Sequence, residues 1–151
     1  MKIGIISDTH GLLRPEVLKT LEGCNYILHG GDINKPEILD RLEETALVYA
    51  VRGNNDKEWA EHLPLFLDFE LVGLKVYMTH KKKDLPKDCS MYDLIVFGHS
   101  HKYSESWQGH TLFLNPGSCG PRKSDQPVTM AVLDVSSKKM KVMAVDIPHN
   151  R

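Results

Sequence analysis

The first fifty residues alternate between short apolar runs and candidate helices, and this alternation restricts the possible folds more than any other feature of the chain. Residues 3–6, 26–28 and 46–51 are rich in Ile, Val, Leu and Tyr and predict buried strands. Helices are predicted between them at residues 15–21, which begin with Pro, and at residues 36–43, whose apolar side chains share one face. The order strand–helix–strand–helix–strand predicts a largely parallel sheet with right-handed crossovers.

The second half of the chain is dominated by strands. They are predicted at residues 66–71, 74–78, 94–97, 111–114, 129–135 and 139–146. Val72-Gly73 predicts a hairpin turn between the first two, and Ser136-Ser137 predicts antiparallel pairing of the last two. Because so many strands seldom form one open sheet, we expect an α/β sandwich of two mixed sheets with helices outside. The chain has 151 residues and no repeat or linker, so residues 1–151 are expected to form a single domain.

Composition disfavours several kinds of protein. With 41% hydrophobic and 26% charged residues and a net charge of -1, the chain has no global charge that would favour nucleic acid or a membrane surface. No apolar run is long enough for a transmembrane helix, and the N-terminal run is too short for a signal peptide. Cys24, Cys89 and Cys119 are odd in number and widely spaced, which favours reduced thiols in a cytoplasm over disulfides or a thiolate metal site.

Five of the predicted strands end in polar groups that are able to bind a metal ion. The segments that follow them are Asp8-Thr9-His10, Gly30-Gly31-Asp32, Gly53-Asn54-Asn55-Asp56, His80 and Gly98-His99-Ser100-His101. Ligand sites of α/β sheets form at the carboxyl ends of the strands. Each segment alone is more often a turn or a helix cap. Since chance would have to place suitable residues at the same end of five strands, we interpret the five together as one site.

The types of donor group predict the chemistry of this site. Carboxylate, imidazole and amide groups without sulfur suit manganese, iron or zinc. Asp8 and Asp32 would cancel two of the four positive charges of a pair of divalent ions, and the remaining charge can hold a phosphate group. Two ions about 3.5–4 Å apart clamp both oxygens of an in-line displacement and lower the pKa of bound water to about 7. Asp32 is the better candidate for bridging the ions, because Gly30-Gly31 allows the backbone to approach them closely.

The ordered motifs Asp8-Thr9-His10, Gly31-Asp32, Gly53-Asn54-x-Asp56, Thr79-His80 and Gly98-His99-Ser100-His101 resemble the calcineurin-like metallophosphoesterase superfamily. Within it the chain is similar to the small bacterial and archaeal phosphodiesterases. The resemblance continues into Asn115-Pro116-Gly117-Ser118 and Pro121-Arg122 and covers nearly the whole chain. It implies a four-layer α/β/β/α sandwich of two mixed sheets flanked by helices.

The resemblance also implies roles for particular residues. Asp8, His10, Asp32 and His101 would bind the first metal ion, and Asp32 would bridge to a second ion. Asn54, His80 and His99 would complete the second site. A hydroxide between the ions would attack a small-molecule phosphate ester directly, with Asp32, Asn54 and His99 as the catalytic residues. The implied ions are two manganese ions, with iron, zinc and nickel as alternatives.

The chain departs from the family pattern at two places. Many members have His after the motif Asn, where it is thought to protonate the leaving oxygen, whereas this chain has Asn55, which cannot act as a general acid near neutral pH. The departure predicts a preference for good leaving groups and therefore for diesters. After His80 the family continues with Gly-His, whereas this chain has Lys81-Lys82-Lys83. The lysines form either a solvated basic loop or an anion-recruiting patch at the mouth of the site.

Four further residues have two interpretations each. Asp56 is either an acceptor that orients a metal-binding histidine or a turn residue. His29 lies at the end of a buried strand, where we expect it to be packed in the core with its hydrogen bonds made rather than to bind a metal ion. Arg52 and Arg122 would contact either substrate phosphate or a surface carboxylate. The remaining histidines are not assigned to the site: His62, His110 and His149.

Two other functions compete with phosphate-ester hydrolysis. One is a non-catalytic interaction scaffold, because a retromer subunit shares the implied fold. A scaffold tends to lose ligand histidines, and this chain matches all seven ligand positions. The other is a nuclease, which uses the same kind of metal site. The near-neutral charge and the absence of a separate basic region make nucleic acid the less favoured partner without excluding it.

Overall fold

A computed structural model describes residues 1–123 and 125–148 of the chain. Ten strands occur in this part: β1 (Lys2–Ile6), β2 (Tyr26–His29), β3 (Leu47–Ala50), β4 (Phe66–Leu71), β5 (Leu74–Thr79), β6 (Leu94–Val96), β7 (Tyr103–Gln108), β8 (Thr111–Pro116), β9 (Thr129–Ser136) and β10 (Lys139–Asp146). The helices are α1 (Pro15–Leu21), α2 (Pro36–Glu43) and two 3-10 helices, Glu58–Ala60 and Lys82–Asp84. No helix in these residues is both long and apolar enough to cross a membrane.

The strands form two mixed sheets of five strands each. The first sheet has the order β10-β9-β1-β2-β3, in which β1, β2 and β3 are parallel and β9 pairs antiparallel with both β1 and β10. The second has the order β4-β5-β6-β8-β7, with β5, β6 and β8 parallel and both edge strands antiparallel. The predicted parallel opening, both hairpins and the two mixed sheets are confirmed.

The two sheets pack face to face around the main core, and alternation along the strands decides which side chains enter it. On β5, Leu74, Val76 and Met78 face the core, whereas Tyr77 faces the outside of the second sheet. Other strands contribute to the same core in the same way, among them β1 through Ile3. Burial of this apolar surface is the main force that holds the two sheets together.

The outer faces of the two sheets are covered differently. Both α-helices pack on the first sheet, where Val17 and Leu21 of α1 and Ile38 and Leu42 of α2 are buried. The second sheet is covered by the chain that includes the 3-10 helix Lys82–Asp84, over a small cluster that includes Tyr92. The four-layer α/β/β/α sandwich is confirmed, and its layer on the second sheet is one helical turn with irregular chain around it.

Candidate metal centre

The loops that follow β1, β2, β5 and β6 bring six of the seven predicted metal-binding residues together in two clusters. Asp8, His10 and His101 form the first cluster, and Asp32, His80 and His99 form the second. Within each cluster the candidate ligand atoms lie within 4.8 Å of one another. Both clusters combine residues from the two sheets, since β1 and β2 belong to the first sheet and β5 and β6 to the second.

The first cluster is a set of nitrogen and oxygen atoms that face one another. Nε2 of His10 lies 3.6 Å from Oδ1 of Asp8, and Nε2 of His101 lies 3.4 Å from the same oxygen. The two ring nitrogens are 3.2 Å apart. Asp8 is fully buried, while both histidines are partly accessible, so the cluster opens towards solvent on the imidazole side.

The second cluster adjoins the first. Nε2 of His80 lies 3.1 Å from Oδ2 of Asp32, and the rings of His80 and His99 meet edge to face with centroids 5.2 Å apart. Oδ2 of Asp32 also lies 3.7 Å from Nε2 of His10. Asp8 makes the reciprocal approach, with Oδ1 3.9 Å from Nε2 of His80. Each carboxylate therefore reaches a histidine of the other cluster.

Five of these residues have an unusual backbone conformation. The φ angle is 56° at Asp8, 44° at His10, 57° at Asp32, 74° at His99 and 64° at His101. Residues with a Cβ rarely adopt this left-handed region, and each instance costs energy that the surrounding structure must offset. Such residues concentrate at functional sites, and here they coincide with the candidate ligands.

Hydrogen bonds orient both carboxylates: those to Asp8 hold only Oδ2 and leave Oδ1 directed into the site, whereas Asp32 accepts at both oxygens. Oδ2 of Asp8 accepts from Oγ of Ser7 at 2.8 Å and from the backbone N–H of His99 at 3.1 Å. Oδ1 of Asp32 accepts from the backbone N–H of Asn55 at 2.8 Å, and the Asn55 amide donates to Oδ2 at 3.3 Å. Ser7 and the donor role of Asn55 were not foreseen from the sequence.

The electrostatics of the site favour a cation. Burial acts to raise the pKa of Asp8, but the facing imidazoles and the Ser7 hydroxyl outweigh it and hold that pKa well below its ordinary value. For His10, the Asp8 carboxylate raises the pKa above its ordinary value against the effect of burial. At His80, burial acts to lower the pKa, but Asp32 and Asp8 reverse the sign and raise it. A field that stabilises a proton on these rings also stabilises a metal ion between them.

The lone pairs at the centre of the site fit a metal ion. Nδ1 of His80 lies 2.7 Å from the carbonyl oxygen of Gly30 and donates to it, so Nε2 is the ring nitrogen that faces Asp32 and would be available to a metal ion. This Nε2 and Oδ1 of Asp8 are buried and have no hydrogen-bond partner in the described part of the chain. Buried acceptors that face one another repel unless a positive charge lies between them, so the residues present fit divalent ions.

Asn54, the seventh predicted ligand, lies in an exposed turn beside the second cluster. It lines the same cavity as His80, a space of about 380 Å³. Its role as a metal ligand stays a prediction.

Asp56 binds backbone rather than a histidine. Its carboxylate accepts four backbone N–H groups at 2.8–3.0 Å, those of Asp32, Ile33, Asn34 and Gly53. Among the described residues, no histidine donates to it. The interpretation of Asp56 as an acceptor for a metal-binding histidine is therefore wrong, and its role is to fix the loop that carries Asp32.

His29 is packed and satisfied, as predicted. Its Nδ1 accepts the backbone N–H of Gly31 at 3.0 Å, and its Nε2 lies 3.0 Å from the Thr9 hydroxyl. Burial lowers the pKa of His29 to about 4, so the ring is neutral.

The basic residues near the site lie on two sides of the clusters. Arg52, Lys81 and Lys83 line the cavity beside His80. Arg122 lines a second cavity of about 250 Å³ with His10 and His101. Neither arginine makes an ion pair with any residue in 1–123 or 125–148, so pairing with a surface carboxylate is wrong for both. His149 lies outside the described residues.

Comparison with known proteins shows similarity over nearly the whole chain. The family model of the calcineurin-like phosphoesterase superfamily domain matches residues 1–138. A phosphodiesterase of Methanocaldococcus jannaschii is 29% identical, over 97% of this chain and 100% of the relative. A phosphodiesterase of Escherichia coli (strain K12) is 30% identical, over 89% of this chain and 88% of the relative.

Solved structures are similar as well. A predicted phosphoesterase from Streptococcus pneumoniae TIGR4 superposes with a TM-score of 0.73 at 26% identity, covering 96% of this chain and 88% of that one. Vacuolar Protein Sorting 29 from Cryptosporidium parvum superposes with a TM-score of 0.72 over 98% of both chains. Its identity is 21%, so this second similarity concerns the fold alone.

Proposed function

The chain belongs to the calcineurin-like phosphoesterase superfamily, and from this premise we propose that it hydrolyses phosphate esters, diesters above all, with two divalent metal ions bound by the two clusters. The observation that carries the proposal is the adjacency of the clusters. Asp32 approaches histidines of both, at 3.1 Å and 3.7 Å, as a bridging carboxylate must. Chains of this family with phosphodiesterase names match this one over most of its length.

The proposed ligand assignment combines the residues of the two clusters with Asn54, which the family pattern adds. Asp8, His10, Asp32 and His101 would hold one ion, and Asp32, Asn54, His80 and His99 the other. The donors are oxygen and nitrogen without sulfur, which suits manganese, with iron, zinc and nickel as alternatives. Bound ions supply Lewis acidity to the phosphate and lower the pKa of water that attacks phosphorus.

The residues of the chain orient the carboxylates and present an imidazole to the substrate. Asp8 is anchored by hydrogen bonds at Oδ2, and Asp32 by hydrogen bonds from Asn55 at both oxygens, so the two carboxylates are oriented before substrate arrives. For His99, burial and the neighbouring charges of His80 and Lys81 lower the pKa and keep the ring neutral. Exposed on the rim of the site, that ring is accessible to a phosphate oxygen.

Asn55 sets the preference among leaving groups. Its amide reaches the site, since it lies 3.3 Å from Oδ2 of Asp32, but an amide has no titratable proton for a departing alkoxide. Esters whose leaving group is stable as an anion are therefore favoured, which is the case for aryl diesters.

We expect the purified protein with Mn²⁺ to hydrolyse bis(p-nitrophenyl) phosphate, and to be much slower on an alkyl monoester. Asp32→Asn should lower the rate by about 100-fold, because the bridging charge is lost. Asp40→Asn, on the exposed face of α2, is the matched control and should keep the rate. Release of p-nitrophenol is followed by absorbance, and circular dichroism verifies that each variant is folded. No turnover with manganese, iron, zinc or nickel, or an unchanged rate in Asp32→Asn, would contradict the proposal.

A non-catalytic scaffold is the alternative function, and the similarity in fold to Vacuolar Protein Sorting 29 is the observation that favours it. The convergence of six candidate ligands with unpartnered buried lone pairs argues for a working site instead. We further propose that residues 1–151 form one domain and that the substrate is a small molecule. The three free thiols favour a reducing, cytoplasmic environment.

A further inference from the structure

The cavity beside His80 has a wall that the two metal clusters do not use. Its volume of about 380 Å³ lies within the range of small-molecule sites. Because His80 lines it, a ligand in the cavity is adjacent to any phosphate held at the second cluster. We call it the basic cavity.

Charge in the basic cavity is unbalanced. Arg52, Lys81 and Lys83 line it against a single carboxylate, Asp84. None of the three cations makes an ion pair with any residue in the described ranges. Three unpaired cations around a concave surface attract an anionic group and can donate hydrogen bonds to it.

The lysine run divides between two surfaces. Lys81 and Lys83 line the basic cavity, whereas Nζ of Lys82 lies 5.8 Å from the centre of the Phe97 ring, outside it. The chain therefore places alternate lysines of the run in the cavity, and the middle lysine provides a natural comparison.

Part of the lining of the basic cavity is apolar and accessible. Leu65 is 66% exposed and Phe66 is 54% exposed. One face of the Phe66 ring stacks on Tyr77 at 5.5 Å with an angle of 12° between the planes. More than half of the Phe66 surface is left for a planar ligand group, and such stacking is a common mode of aromatic recognition.

We propose that the basic cavity binds the part of the substrate that lies beyond the reacting phosphate, and that this part combines a planar aromatic ring with a second anionic group, as nucleotides do. The ring stacks on Phe66, and Lys81, Lys83 and Arg52 bind the anion. The inference rests on the proposed function and names the substrate class of the same site.

The test is equilibrium binding of adenosine 5′-monophosphate to the full-length protein, measured by calorimetry with a chelator present. The chelator removes the metal ions that would otherwise bind the phosphate at the clusters, so the comparison of lysine variants reports on the basic cavity. We expect the wild type to bind this nucleotide about tenfold more tightly than adenosine. Lys81→Ala/Lys83→Ala should lose about tenfold for the nucleotide and little for adenosine.

The matched control is Lys82→Ala/Lys87→Ala. It also removes two positive charges from this segment, but both lie outside the basic cavity. It should change the affinity by less than about twofold. Phe66→Leu keeps an apolar side chain and removes the ring, and should weaken the nucleotide and adenosine alike, by about fivefold.

Three results would overturn the inference: no nucleotide binding by the wild type, equal losses in the two lysine variants, or adenosine binding as tightly as the nucleotide. Turnover of bis(p-nitrophenyl) phosphate with Mn²⁺ is measured separately. Turnover together with any of these three results rejects the basic cavity and leaves the proposed function standing. Nucleotide binding of the expected kind without turnover under any metal ion rejects the proposed function instead.

Discussion

At the residue scale, the candidate ligands depend on neighbours that hold strained backbone in place. In the loop after β2, the φ angle is positive at both Asp32, where it is 57°, and Asn34, where it is 71°. The carboxylate of Asp56 accepts the backbone N–H groups at residues 32, 33 and 34, which fixes this stretch. Asp56 thus acts on the site through the backbone.

We expect Asp56→Ala to lower the free energy of unfolding by about 2–4 kcal/mol, because four backbone donors lose their charged acceptor and most of that contact is buried. Urea unfolding followed by circular dichroism measures the change. Asp40→Ala removes an exposed carboxylate and should change stability by no more than about 0.5 kcal/mol. Equal stability of the two variants would show that the Asp56 contacts contribute nothing.

At the element scale, the loops after β2 and β3 fit together through a glycine. A Cβ atom at Gly53 would lie 2.2 Å from the backbone nitrogen of Asp32 and 2.2 Å from its Oδ1. Backbone cannot move aside cheaply, so only glycine allows the two loops to approach this closely. The contact brings the Asn54–Asp56 turn against the Asp32 carboxylate.

Gly53→Ala should therefore weaken Mn²⁺ binding by about tenfold or more, because the Asp32 carboxylate must shift. Calorimetric titration of the variant with Mn²⁺ measures the affinity. Gly109→Ala is the control: its φ angle is 61° but a Cβ there meets nothing within 4 Å. It should cost about 1 kcal/mol of stability and leave the metal affinity unchanged. If both variants bind the ion normally, the fit between the loops is unimportant for the site.

Local sequence patterns were sufficient to place both helices and most of the strands. The bounds of α1, α2, β4 and β10 match the prediction, because proline starts, turn residues and apolar periodicity mark them locally. Strand β7 was missed: its sequence Tyr-Ser-Glu-Ser-Trp-Gln is largely exposed and polar, and it forms as an edge strand by pairing with β8. Such a strand depends on its partner rather than on its own pattern.

The candidate site was likewise predictable only in part. Asp8, His10, His80, His99 and His101 were found because each directly follows a strand, and the family pattern supplied their grouping. The contacts of Asp56, Asn55 and Ser7 could not be foreseen, since they join segments that are far apart in the chain or depend on a particular rotamer.

At the scale of the whole molecule, each cluster joins the two sheets. Asp8, His10 and Asp32 follow strands of the first sheet, and His80, His99 and His101 follow strands of the second. Ions bound to both groups would be present only in the folded state, where the sheets are packed together, and would therefore stabilise it.

We expect Mn²⁺ at about 100 times its dissociation constant to add about 2.7 kcal/mol of stability, which corresponds to a rise in Tm of about 5–10 °C. Thermal unfolding with and without Mn²⁺ measures the shift. His99→Ala should reduce the rise, whereas His110→Ala, at an exposed position outside the clusters, should keep it. A rise of the same size in His99→Ala would mean that the ion binds elsewhere.

The candidate metal ligands lie at one end of the sandwich, and the two hairpin turns lie together at the other. Val72-Gly73 and Ser137-Lys138 are adjacent, since a Cβ atom at Gly73 would lie 3.7 Å from Cγ of Lys138. Strands of six residues span about 20 Å, so an insertion at either turn is that far from the metal clusters. A tag, a fluorophore or a second protein could be attached there, and the two turns together would give a paired position for distance measurements between the sheets.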